Sequence, residues 1–283
     1  MKLLYPLAKR FIAGHDLRSA APNINNLIDQ GYDVSVDYVG ENCKNKEDCL
    51  KAYKQYVRII KFFKNKKIDI SIKPSQLGLN IHPILSYHYL SSLANRAKKY
   101  SHTIRLDMED SSTTSNTINL AITLNKRFGN VGVAIQSNLY RSDEDIDNLI
   151  DKGVSVRIVK GAYKENKKIA HQTYFSISGC FFDYAARLYS NKANKPAIGT
   201  HDEELLEDVQ QLIPKPEYFD YEFLYGIRRD LQKDLKDKGY NVRVYVPFGE
   251  DWLPYTLRRL KEWKNLKFVI KNIFNEIFRR RSS

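Results

Sequence analysis

No stretch of this sequence approaches the roughly 20 consecutive apolar residues that a membrane-spanning helix requires. The first residues, MKLLYPLAKRFIAG, carry only a short apolar segment, broken by Pro6, Lys9 and Arg10, so no secretory leader is expected. Cysteine is scarce. Cys43, Cys49 and Cys180 are too few and too unevenly spaced for a disulfide framework or a zinc site, which suits a reducing, cytoplasmic compartment and predicts no metal. The Gly-x-Gly-x-x-Gly turn of dinucleotide-binding sheets is missing too. Acidic residues are the minority, 33 against 46 Lys and Arg, for a net charge of +13. Such a balance fits an anionic substrate, cofactor or membrane surface, or nucleic acid. The lysines are scattered along the chain and no base-stacking platform accompanies them, so nucleic acid is not the expected partner.

What is present is a repeated alternation. Eight β-rich runs stand in order: VSVDYV at 34–39, IDISIK at 68–73, TIRLD at 103–107, VGVAIQ at 131–136, VSVRIVK at 154–160, PAIGT at 196–200, YFDYEFLY at 218–225 and VRVYV at 242–246. Between them lie segments with apolar residues at helical spacing, including 47–64, 83–99 and 113–127. Eight such β-then-α units predict a single-domain α/β fold over residues 1–283, a (β/α)8 TIM-type barrel. Residues 1–32 would form a lead-in, helix with a loop around Pro22, and 264–283 a basic amphipathic tail. That tail would dock either on the barrel or on an anionic membrane surface.

Function in such a barrel gathers where the strands end. Nearly every run here ends in polar residues: Gly40-Glu41, Lys73-Pro74-Ser75-Gln76, Asp107-Met108-Glu109-Asp110, Gln136-Ser137-Asn138, Lys160-Gly161-Ala162-Tyr163, Thr200-His201-Asp202 and Tyr245. Ser75, Asp110 and Asp202 read as caps or loop residues. After the last run, Pro247 and Gly249 break the strand and a helix is expected to begin near Trp252. Tyr255 precedes Arg258 and Arg259 by one turn of that helix and Glu262 follows them by one, which makes a two-arginine clamp for a carboxylate.

These segments resemble proline dehydrogenase, a flavoenzyme family found alone or as a domain of the bifunctional proline utilisation A proteins. The resemblance rests on DYVGE at 37–41, IKPSQLGL at 72–79, IRLDMEDS at 104–111, AIQSNLYR at 134–141, VRIVKGAY at 156–163, GTHDEEL at 199–205 and YGIRRDL at 225–231. Tyr245, Pro247, Gly249 and the YTLRRL helix with Glu262 complete it. It implies FAD-dependent oxidation of L-proline to Δ1-pyrroline-5-carboxylate, with hydride passing to flavin N5 and electrons going on to a membrane quinone or another acceptor.

The same resemblance implies the roles. Arg157 would face the flavin N5 and O4 side, Gln136 the pyrimidine edge, and Val159, Lys160, Gly161 and Ala162 the ring and ribityl chain, with Thr200 and His201 near the ribityl or pyrophosphate groups. Arg258 and Arg259 would bind the proline carboxylate. Lys73, Asp107 and Glu41 would form an ion-pair cluster under the proline ring. Tyr163, Leu224 and Tyr245 would pack that ring, and Tyr255 and Glu262 would steady the clamp. A peripheral contact with the inner face of the cytoplasmic membrane and a partner pyrroline-5-carboxylate dehydrogenase are compatible with this reading. The chain ends soon after its last unit, so a monofunctional enzyme is expected. Two segments depart from the family: the seventh strand is two residues shorter, and 164–194 is less polar, leaving the adenine end of the FAD site unassigned. The nearest rival is another flavin-dependent barrel, such as a methylenetetrahydrofolate reductase, and a basic RNA-binding protein stands further off.

Overall fold

Eight parallel strands pair in sequence order and close on themselves, β1 bonding to both β2 and β8. They are β1 Asp33–Tyr38, β2 Asp69–Ile72, β3 Thr103–Leu106, β4 Val131–Gln136, β5 Val156–Val159, β6 Ala197–Gly199, β7 Asp220–Leu224 and β8 Asn241–Phe248. The helices are α1 Leu17–Asp29, α2 Lys46–Phe62, α3 Pro83–Lys98, α4 Thr114–Phe128, α5 Ser142–Asp151, α6 Tyr174–Ser190, α7 Glu203–Leu212 and α8 Arg229–Asp237. The structure, a computed structural model, describes residues 10–213, 215–253 and 255. The expected (β/α)8 barrel is therefore the observed one.

Local chemistry sets most of the boundaries. Asp16 and Ser19 bond reciprocally in a capping box that starts α1, Asn45 caps α2 through the Asp48 amide, and Pro83 occupies the first turn of α3, where a missing N–H costs nothing. One expectation needs correction. Pro22 does not open a loop; α1 runs through it to Asp29. The buried face of that helix, Ala20, Ala21 and Ile24, anchors it despite the lost backbone bond.

Each strand divides its side chains between two cores. Outward residues such as Ile70, Ile72, Val133, Ile158, Phe223 and Val244 are buried, in one apolar cluster with Tyr56, Leu93, Phe181 and Leu206 from the helices. The inward phase is different. Side chains from strands that do not neighbour one another meet there, as Arg157 of β5 meets Ser71 of β2 and Glu222 of β7. Barrel interiors are commonly filled with branched apolar residues. This one buries Asp37, Asp69, Arg105, Asp107, Arg157 and Glu222. Charges in such a place must be paired, and these pairs position the site.

Candidate active site

At the C-terminal end of the barrel a cavity of about 500 Å³ opens among the strand ends. It falls within the 300–1,000 Å³ common for small-ligand sites. Of the predicted site residues that the structure describes, Lys73, Asp107, Gln136, Arg157, Val159, Lys160, Gly161, Ala162, Tyr163, Thr200, His201, Leu224, Tyr245 and Tyr255 line it, whereas Glu41, expected beside Lys73 and Asp107, does not, and Asp37 stands against Lys73 instead. The clamp residues Arg258, Arg259 and Glu262, and the tail at 264–283, lie outside the described residues.

Charge on one wall is organised around Asp107. Its carboxylate accepts from Arg157 Nη2, from the Tyr245 hydroxyl at 2.7 Å and from Lys73 Nζ at 3.4 Å. Lys73 also lies 3.3 Å from both oxygens of Asp37. Burial works against all of these charges, and the partners decide who keeps one. Asp107 is desolvated, but Arg157 and Lys73 outweigh that and hold its carboxyl below the usual range. Burial dominates at Asp37, with the like charge of Asp107 adding to it, so its proton affinity is raised. Lys73 is pushed up: its burial is more than offset by Asp37 and Asp107. Arg157 bonds Glu222 as well, at 2.8 Å, and sits over the Tyr245 ring at 5.4 Å.

The other wall is formed largely by small residues. Gly161 has φ +108°, a conformation that strains any other residue, and a Cβ there would run into the Asn138 side chain. A Cβ on Gly199 would stand 3.1 Å from Val159 Cγ1. Ala134 and Ala162 line the same floor. The Gln136 amide is held by the protein, its nitrogen donating to the Glu109 carbonyl at 3.0 Å and its oxygen accepting from Ala162 N–H at 3.4 Å. His201 Nε2 accepts the Leu224 N–H at 3.0 Å, so a neutral ring carries its proton on Nδ1. Lys160 pairs with Asp202, which also receives the Tyr174 hydroxyl at 2.6 Å and caps α7 through the Leu205 amide. The sequence reading of Asp202 as a cap holds, and the lysine adds a second duty.

Three contributors escaped the sequence reading. Asp37 and Glu222 sit within β-rich strand runs, Glu222 two residues after Asp220, and Tyr174 opens α6 within the 164–194 segment. The available signal was phase. Asp37 and Glu222 fall on the same side of their strands as Ser35 and Leu224, respectively.

Comparison with known proteins decides the family. The proline dehydrogenase family model matches residues 20–271. The chain belongs to the proline dehydrogenase family. It is 32% identical over 276 residues to "Proline dehydrogenase 1" of Bacillus subtilis subsp. natto, covering 95% of this chain and 91% of the relative. It is 32% identical over 284 residues to the proline dehydrogenase of Deinococcus radiodurans, with the same two coverages of 95% and 91%. The bifunctional protein PutA of Escherichia coli is 26% identical over 319 residues, 93% of this chain and 24% of that one. Among solved structures, proline utilization A from Bdellovibrio bacteriovorus inactivated by N-propargylglycine superposes with a TM-score of 0.88. Identity there is 20%, over 97% of this chain and 34% of that one. Among the described residues no helix is long and apolar enough to cross a membrane.

Proposed function

We propose that this chain oxidises L-proline to Δ1-pyrroline-5-carboxylate using a bound FAD, with the electrons delivered to a quinone, as the first step of proline catabolism. The observation that carries this reading is the convergence on one cavity of a charged wall, centred on Asp107, and a small-residue wall around Gly161. The residues present fit a flavin. Gly161, Ala162, Gly199 and Ala134 leave room for a planar ring, and the buried Nε of Arg157 has no protein partner among the described residues. FAD would supply the hydride acceptor, and Gln136, Arg157, Val159, Lys160, Gly161, Ala162, Thr200 and His201 would hold it.

The protein groups have definite tasks. Arg157, permanently charged and fixed between two acids, places positive charge where negative charge accumulates on reduction. Tyr245, Tyr163 and Leu224 would wall the proline ring, with Tyr255 behind them. Arg258 and Arg259, steadied by Glu262, would take the substrate carboxylate bidentately. Lys73 and Asp107 would set the charge under the ring and exclude water from it. The proposed location is cytoplasmic, with a peripheral contact at the membrane face that holds the quinone.

Anaerobic titration of the purified protein, followed at the flavin band, tests the reading. A yellow protein bleached by proline and left unchanged by NADH supports it. Bleaching by NADH alone would move the chain to the folate-reducing barrels. Within the same experiment, Arg258→Met or Arg259→Met is expected to raise the KM for proline at least about tenfold, from roughly 1.5–3 kcal/mol of charge-assisted bonding, while FAD content holds. An unchanged KM in both variants removes the clamp.

A further inference from the structure

We propose that Glu222 of β7 is a positioning residue that fixes the Arg157 guanidinium and trims its charge, thereby setting how readily the bound cofactor is reduced. The inference rests on the flavoenzyme reading above. Arg157 is gripped from two sides: Nη1 donates to Glu222 Oε1 at 2.8 Å and to Ser71 Oγ at 3.3 Å, while Nη2 donates to Asp107. Arg157, Asp107 and Glu222 all line the cavity.

The two acids are not equivalent. Asp107 also receives Tyr245 and Lys73, so its position survives the loss of any one partner. Glu222 has one hydrogen bond among the described residues, the one to Arg157, and its Oε2 is buried without a partner. A buried carboxylate with a single bond is expensive to keep. A fold that needed only to fill this place would be served better by an apolar side chain. Its charged surroundings are Arg157 from β5, Arg243 from β8, Asp69 from β2 and Arg105 from β3. Of these only Arg157 bonds it, so the effect of Glu222 is delivered mainly through that guanidinium. An ionised Glu222 adds a negative charge directly on Arg157, whose other acid, Asp107, is shared with Lys73. The extra negative charge stands against the charge gained on reduction and therefore lowers the reduction potential.

The test compares wild type, Glu222→Gln and Glu222→Asp as flavin-loaded proteins. Gln keeps an acceptor for Nη1 and removes the charge. The reduction equilibrium should shift about tenfold toward the reduced cofactor, about 30 mV upward for a two-electron couple, with flavin content preserved and the KM for proline within about twofold. Asp keeps the charge and withdraws it by one methylene, so its potential should stay closer to wild type while kcat falls about tenfold, because Arg157 is no longer held in place. If Glu222→Gln does not load with flavin, the Asp variant alone decides. A Gln potential equal to wild type, or an Asp variant with wild-type kcat, overturns the proposal. A wild-type protein whose flavin is not bleached by proline would instead overturn the reading of the activity.

Discussion

Tyr245 of β8 donates its hydroxyl to Asp107, the residue that follows β3, 2.7 Å away across the barrel. The two strands are not neighbours, so this bond exists only once the barrel has closed. It joins the residue expected to wall the substrate ring to the acid that collects Arg157 and Lys73. Burial, and then the Asp107 charge, hold the Tyr245 phenol well above its ordinary range, so it remains a donor. Tyr245→Phe keeps the ring and deletes the donor. A hydrogen bond to a charged group is worth about 1.5–3 kcal/mol, and kcat/KM for proline should fall about tenfold or more. Stability should drop less, because Asp107 keeps two cationic partners. Steady-state kinetics and urea unfolding on the same preparation check this; kinetics indistinguishable from wild type would make the bond purely structural.

Lys73 offers a sharper test of the interior electrostatics. It stands between Asp37 and Asp107, and both acids are buried. Lys73→Met leaves an uncompensated carboxylate at Asp37, a type of loss that costs about 3–5 kcal/mol. Asp107 is protected by Arg157. Adding Asp37→Asn to Lys73→Met should therefore restore a large part of the lost stability, a coupling that urea midpoints at constant m would reveal. If the two changes simply add, Asp37 and Lys73 do not act as a pair.

The barrel could be read from the sequence because eight β-rich runs separated by helical spacing leave few alternatives, and the cavity because strand ends must meet once the sheet closes. Asp37 and Glu222 could not. A charge inside a β-rich run looks the same whether its side of the strand faces solvent or the lumen, and closure decides which. Pro22 misled for a related reason. Its local penalty is real, but the burial of Ala20, Ala21 and Ile24 is a tertiary quantity that no local rule includes. Glu222 and Leu224, two residues apart on β7, both line the cavity, as the alternation of a strand requires.

The pH dependence of stability has a source far from the site. His102, just before β3, is buried, and its Nε2 lies 3.3 Å from the Ile60 carbonyl, which can only accept, so the proton sits on Nε2. Its Nδ1 is buried with no partner among the described residues. Burial lowers its proton affinity, and the bond to Ile60 offsets only part of that. The folded protein thus binds fewer protons at this position than the unfolded chain, whose histidine titrates near about 6.5. The stability it contributes is complete above that pH and is lost as the pH falls through it toward the folded value. Glu109 and Glu222, raised by burial, act in the opposite sense and gain relative stability as the pH falls, but they do so equally in wild type and in a His102 variant. His102→Gln can still donate to Ile60 and cannot ionise. The fall in Tm between pH 7.5 and about 5.5 should therefore be smaller in His102→Gln than in wild type, even if the variant is less stable at the upper end. Parallel Tm curves for the two proteins would place the acid sensitivity elsewhere.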